Sequence, residues 1–329
     1  MIRNQWYVIL ESNEVGRRRP LGVTRLGEKL VVWRQADGRV VCMADRCPHL
    51  GAPLCLGKVS DQRLACPFHG FEYDASGQCR YLPAAGQNGP IPKALKVQTY
   101  PTYEAHGLIW IYWGEPTPNL QPPAFFEPLE DPRLSYRSFH QHWGVHYSRM
   151  AENQLDVMHL PFIHYNTIGR GGRMVVDGPQ VRLTGDLLQL WVYNRLDDGT
   201  PARKAEELPP PQRRPFLQFR FPNIWHNWIS GDMRITIAFA PVDEGHTRLY
   251  IRTYQKSVKV PVLRELFHLS SRLGSFIIER QDRRVVITQR PLRSSHRMGE
   301  ILLSGDGPVI QYRRKRDELI GKGKPSGKP

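Results

Sequence analysis

The stretch that decides the reading is CPHLGAPLCLGKVSDQRLACPFHG, residues 47–70. It holds Cys47 and His49 in one short cluster and, sixteen residues further on, Cys66 and His69 in a second. Structural zinc sites also use Cys and His, but they usually pair like ligands within a cluster. Here each cluster supplies one thiolate and one imidazole. That division suits a [2Fe–2S] centre in which one iron takes both Cys and the other both His, held between two loops. Pro48, Gly51, Pro67 and Gly70 fit tight loops whose backbone N–H groups can bond sulfur.

Short β-patterned runs surround the clusters: WYVIL (6–10), KLVVWRQ (29–35) and VVCMAD (40–45) before them, GLIWIYW (107–113) after. The Asp-Gly of QADGRV (35–40) reads as a hairpin turn. Residues 1–113 are therefore expected to form a small antiparallel β domain with the clusters on loops. Six prolines in residues 114–132 exclude a regular helix or central strand and mark a linker. Beyond it, residues 143–160 have a helical pattern, and 180–195 and 216–255 alternate like strands of an antiparallel sheet. The polar, Pro-rich segment 195–215 reads as a loop able to cover a site. Residues 260–290 have the apolar spacing of a long helix, with Gly274 as a point of interruption. From residue 318 the chain reads as a disordered tail.

The 329 residues allow two domains. No apolar run reaches the roughly 18–20 residues of a membrane-spanning helix, and MIRNQWYVIL lacks the apolar core of a signal peptide. A soluble, cytoplasmic protein is expected. In a reducing compartment, clustered Cys and His point to metal rather than disulfides. Cys42, Cys55 and Cys79 fall outside the pattern and read as incidental thiols. The net charge is +15, but the basic residues are spread along the chain and no nucleic-acid motif is present. A basic surface also steers acidic proteins or anionic substrates.

A second constellation lies in MAENQLDVMHLPFIHYNTIG, residues 150–169. On one helix, Glu152, Asp156 and His159 share a face, Pro161 ends it and His164 follows the break. Two His near a helix end plus one distant carboxylate make the facial donor set of non-haem Fe(II), with positions left open.

The spacing Cys47-x-His49 … Cys66-x-x-His69 resembles the Rieske motif. Respiratory-chain members add two Cys, forming a disulfide, and a Ser that bonds the cluster. Ala52, Phe68 and Phe71 stand at the corresponding positions here, which implies a potential near the low end of roughly −150 to +300 mV. Together with Glu152-Asn153-x-x-Asp156-x-x-His159-x4-His164, the chain resembles the Rieske non-haem iron oxygenases, most closely the vanillate O-demethylase type.

The resemblance implies an α+β fold: an antiparallel β Rieske [2Fe–2S] domain (1–113), a linker (114–132), a helix-grip (START-like) catalytic domain with a curved antiparallel sheet and long C-terminal helix (133–317), and a tail (318–329). It implies a third iron ligand on IIERQDRRVVITQRP, taken as Asp282 because Gln289 follows at the family's spacing, with Glu279 as fallback. Asp156 is implied to link His159 to His69 of a neighbouring chain in a head-to-tail trimer. The implied activity is hydroxylation or O/N-demethylation of a small organic substrate at a mononuclear Fe(II). Ring cis-dihydroxylation is the alternative, and a Rieske electron carrier without oxygenase activity is the rival of another class. No G-x-G-x-x-G follows a strand, so a separate flavin reductase or ferredoxin must supply electrons. FPNIWHNWI and ITIAFAP are expected to line the pocket. His226 there reads equally as a substrate contact or an ordinary strand residue.

Overall fold

The computed structural model describes residues 1–323 and divides the chain into two compact units. The first unit to be described comprises residues 3–124 with 240–243. Its strands are β1 (Gln5–Glu11), β2 (Leu21–Arg25), β3 (Glu28–Arg34), β4 (Val40–Ala44), β5 (Lys58–Ser60), β6 (Arg63–Ala65), β7 (Glu72–Tyr73), β8 (Cys79–Tyr81), β9 (Thr99–Tyr100), β10 (Thr102–Ala105) and β11 (Leu108–Trp113). They make three antiparallel sheets, in the orders β1-β11-β10, β2-β3-β4-β9 and β5-β6-β7-β8. Val31, Trp33, Val41 and Met43 alternate inward from β3 and β4 to form a core with Leu64, Phe71 and Tyr73. That core ends at Cys47 and Cys66, so it reaches the bases of both cluster loops.

The second unit comprises residues 1–2, 125–239 and 244 onward. Its elements are β12 (Ser135–Trp143), α1 (Tyr147–Leu155), α2 (Leu160–Ile163), β13 (Val175–Thr184), β14 (Leu187–Arg195), β15 (Leu217–Arg220), β16 (Ile224–Trp228), β17 (Met233–Pro241), β18 (Thr247–Gln255), α3 (Pro261–Val286) and α4 (Gly307–Lys322). One seven-stranded sheet runs β12-β18-β17-β16-β15-β14-β13. Leu188, Leu190, Leu217, Phe219, Trp225, Ile237, Phe239, Leu249 and Ile251 pack from it against Tyr147, Met150 and Leu155 of α1, Val286 of α3 and Tyr312 of α4.

Four local expectations need correction. The helix expected over 143–160 ends at Leu155, and Trp143 belongs to β12. Asp156 is extended (φ −71°, ψ 129°), and its Oδ1 accepts the Met158 N–H at 2.7 Å, a local turn that competes with helix. Pro161 sits in the first turn of α2, where its missing N–H costs nothing, so it starts a helix rather than stopping one. Gly274 does not interrupt α3. Residues 318–322 continue α4, whose Arg313 and Arg316 are buried, while residues 324–329 lie outside the described residues. The segment 196–216 lies on β13: Arg203 donates to Asp177, and Gln180 donates to the Pro209 carbonyl.

Candidate metal centres

The two cluster loops share one internal geometry. Cys47 N–H donates to the Ala52 carbonyl at 2.8 Å and Cys66 N–H to that of Phe71 at 2.8 Å. Gly51 and Gly70 each donate back to the cysteine four residues earlier. Both have positive φ (77° and 69°), which a side chain would strain. The paired loops bring His49 Nδ1 and His69 Nδ1 to 3.3 Å of each other, with both imidazoles exposed. Cys47 and Cys66 lie buried beneath them, close enough that Cys47 helps raise the thiol pKa of Cys66. For Cys66, burial is the larger cause. Two thiols below two ring nitrogens fit a [2Fe–2S] cluster with mixed ligation.

Tyr73 was not singled out by sequence. Its hydroxyl lies 3.2 Å from Cys47 Sγ, and burial pushes its pKa far up, so it keeps its proton and would donate it to Cys47 as a cluster thiolate. Such a bond would remain to a bound cluster although the Ser is missing. All five cysteines are free; Cys42 and Cys55 have thiols pushed up by burial, Cys55 to about 11.

In the second unit, His159, His164 and Asp282 bring one ligand atom each within 4.8 Å of one another. Asp282 Oδ1 lies 3.0 Å from His164 Nε2 and 3.6 Å from His159 Nε2. This oxygen is buried and has no hydrogen bond. Two imidazole nitrogens aimed at one orphaned carboxylate oxygen fit the donor set that a ferrous facial site would need. His164 and Asp282 are buried, whereas His159 is partly open to solvent. Burial disfavours charge on His164, but the adjacent Asp282 carboxylate outweighs it and raises its pKa.

The ring backs are held differently. Asp156 Oδ2 is 3.4 Å from His159 Nδ1, whereas His164 Nδ1 meets the amide oxygen of Gln281 at 2.8 Å. Burial opposes charge on Asp156, yet His159 holds its carboxyl below the usual range. Gln281 also accepts from Thr167 and donates to Asn166. No sequence signal marked this amide. Glu279 is absent from the triad. Burial, and then Asp282, push its pKa well up. Glu152 is absent too: it accepts from Arg313 at 2.6 Å and Arg149 at 3.0 Å, tying α1 to α4. Trp225 and His226 alternate along β16. Trp225 Nε1 donates to the Gln154 carbonyl of α1, so His226, against Phe126 and Trp228, is on the other face of the sheet.

Comparison with known proteins agrees with this architecture. Residues 143–322 match the vanillate O-demethylase oxygenase C-terminal domain, and residues 5–101 match the Rieske [2Fe–2S] domain. The chain belongs to the vanillate O-demethylase family of Rieske oxygenases. It is 36% identical over 171 residues to a putative toluene-4-sulfonate monooxygenase system iron–sulfur subunit of Comamonas testosteroni, covering 51% of this chain and 48% of that protein. It is 36% identical over 166 residues to the oxygenase component of dicamba O-demethylase from Stenotrophomonas maltophilia, covering 50% and 48%. The matched stretch thus spans about half the length of these relatives. The structure of NdmA with caffeine, from Pseudomonas putida CBB5, superposes with a TM-score of 0.76 at 27% identity, over 97% of this chain and 91% of that one. Among the described residues, no helix is long and apolar enough to cross a membrane.

Proposed function

We propose that the chain is the terminal oxygenase of a multi-component system, hydroxylating or O- or N-demethylating a small aromatic or cyclic substrate. The observation that carries this is the convergence of His159, His164 and Asp282 in a chain that also holds the paired Cys/His loops. Cys47, His49, Cys66 and His69 would hold the cluster, and His159, His164 and Asp282 the mononuclear iron. When bound, the cluster supplies single electrons and the ferrous ion a site for dioxygen activation.

The chain's own groups prepare that chemistry. Gln281 holds the Nδ1 proton of His164 and Asp156 stands 3.4 Å behind Nδ1 of His159, while both Nε2 atoms face Asp282. Burial of His164 and Asp282 limits water on that side. Substrate C–H, dioxygen, two electrons and two protons give C–OH and water. A hydroxylated O- or N-methyl group then leaves as formaldehyde.

The electrons come from a separate NAD(P)H-dependent reductase or ferredoxin, to which the net charge of +15 is suited if that donor is acidic. A cytoplasmic location fits five free cysteines. We place the chain in a head-to-tail trimer in which Asp156 bonds the partner subunit's His69. The exposure of His69 and of Phe68 and Leu50 beside the cluster supports such docking.

The test is metal content. Protein purified anaerobically, loaded with Fe(II) and desalted should hold about three irons and two acid-labile sulfides per chain. A ratio of about two to two after loading would leave only a Rieske electron carrier.

A further inference from the structure

Helix α3 is inverted relative to an ordinary amphipathic helix. Its buried side chains are His268, Glu279, Asp282 and Val286, three of them polar. Its large apolar side chains face solvent: Val262, Leu266, Leu269, Leu273 and Phe276 are each more than half exposed. Leu263 and Ile277 widen the stripe. A contiguous exposed apolar face of this kind marks an interaction surface. The five residues recur at steps of four, three, four and three, the spacing of a coiled-coil seam. Such a seam fits another helix better than it fits a sheet or a flat surface.

We infer that the stripe packs against α3 of a second copy of this chain, antiparallel, about a two-fold axis between Phe267 and His268. In that register Leu266 layers with the partner subunit's Leu269, and Val262 with the partner subunit's Leu273. Phe276 reaches the partner subunit's Val260, and Val260 is itself more than half exposed.

Charge selects this register. Glu265 and Arg272 are seven residues apart, so they stand in one column beside the seam. The two-fold axis sets Glu265 beside the partner subunit's Arg272, and does so twice. A parallel pairing would set the same column against Ser270 and Ile277 of the partner subunit. The antiparallel register one heptad further would set Arg272 against the partner subunit's Arg272, like against like. Glu265 is anchored from its own sheet by Arg137 of β12 at 2.6 Å, and both side chains remain about half exposed. The contact is isologous, so it closes on itself and adds to a ring rather than replacing it.

The experiment is sedimentation velocity with native mass spectrometry on the full-length holoprotein. Iron and sulfide content and circular dichroism serve as folding controls. Wild type should contain an even number of chains, and Leu269→Glu should halve that number with the metal content intact. Glu265→Arg and Arg272→Glu should each weaken the two-fold contact by about fivefold or more, and the double variant should restore it. An odd number of chains or a monomer in wild type overturns the proposal. So does an unchanged assembly in Leu269→Glu. Failure of the double charge swap to restore the contact overturns the antiparallel register.

Discussion

The amide oxygen of Gln281 stands 2.8 Å from His164 Nδ1, while its Nε2 donates to Asn166 at 2.7 Å. An amide oxygen only accepts, so Nδ1 of His164 carries the proton and Nε2 is left to face Asp282 at 3.0 Å. The other histidine of the triad is backed by a carboxylate, Asp156. The two imidazoles are therefore backed differently, with the neutral amide behind the more buried ring.

This relationship predicts that Gln281→Leu weakens Fe(II) binding by about 10- to 100-fold while leaving the Rieske cluster in place. Gln281→Glu, which keeps an acceptor at the same reach, should recover most of that affinity. Anaerobic Fe(II) titration of cluster-intact protein lacking the mononuclear iron measures both. Equal affinity in wild type and the Leu variant would show that the amide does not hold the ring.

How far the sequence reveals these features depends on how local they are. The cluster loops are legible because Cys, Pro, His and Gly lie within six residues of each other and the turns demand them. The pairing of Asp282 with His164 spans more than a hundred residues, and only family resemblance singled it out. Gln281 and Tyr73 carried no signal, since a neutral amide and a strand tyrosine look the same whether or not they touch a ligand. Helix α4 turns charge as well as apolar surface inward: Arg313 pairs with the buried Glu152 and Arg316 donates to the Ser294 carbonyl inside the domain. Helix α4 was missed for that reason. The inward turn at Asp156 was hidden by a pattern that suits a continuous helix equally well.

Asp156 offers a second test. Asn at this position keeps a carbonyl for the Met158 N–H and so keeps the turn, but it removes the negative charge beside His159. Asp156→Asn should retain both metal centres and lose about 100-fold in the rate at which the pre-reduced cluster is oxidised when substrate and dioxygen are added. Stopped-flow absorbance of the cluster follows that step directly. Oxidation at the wild-type rate would remove Asp156 from the electron path.

Tyr73 bears on the cluster's potential. Reduction adds negative charge to the sulfurs, which strengthens a hydrogen bond donated to Cys47 Sγ and favours the reduced state. A bond worth about 1–1.5 kcal/mol corresponds to roughly 40–65 mV for one electron. Tyr73→Phe should lower the midpoint potential by about that much, with unchanged sulfide content. A redox titration followed by circular dichroism reads it. An unchanged potential would mean that the hydroxyl does not bond the cluster.

His226 predicts a pH dependence away from both centres. It is fully buried, bonded to Gln218 at 2.9 Å and packed on Phe126 and Trp228. Arg234 and Arg214 lie over the Trp228 ring and carry positive charge toward this region. Burial first, and Arg234 second, push its pKa down to about 3. The unfolded chain takes up this proton near pH 6.5, while the folded chain refuses it until about pH 3. Between those values the unfolded state binds more protons, so stability rises with pH and is lost as pH falls from about 6.5. The slope from this one group reaches about 1.4 kcal/mol per pH unit. His226→Gln keeps an amide for Gln218 and removes the titration. The variant should be less stable than wild type at pH 7.5, and the gap between their thermal midpoints should narrow steadily from pH 6.5 to pH 5. A gap that stays constant over that range would show that His226 is not held neutral by the fold.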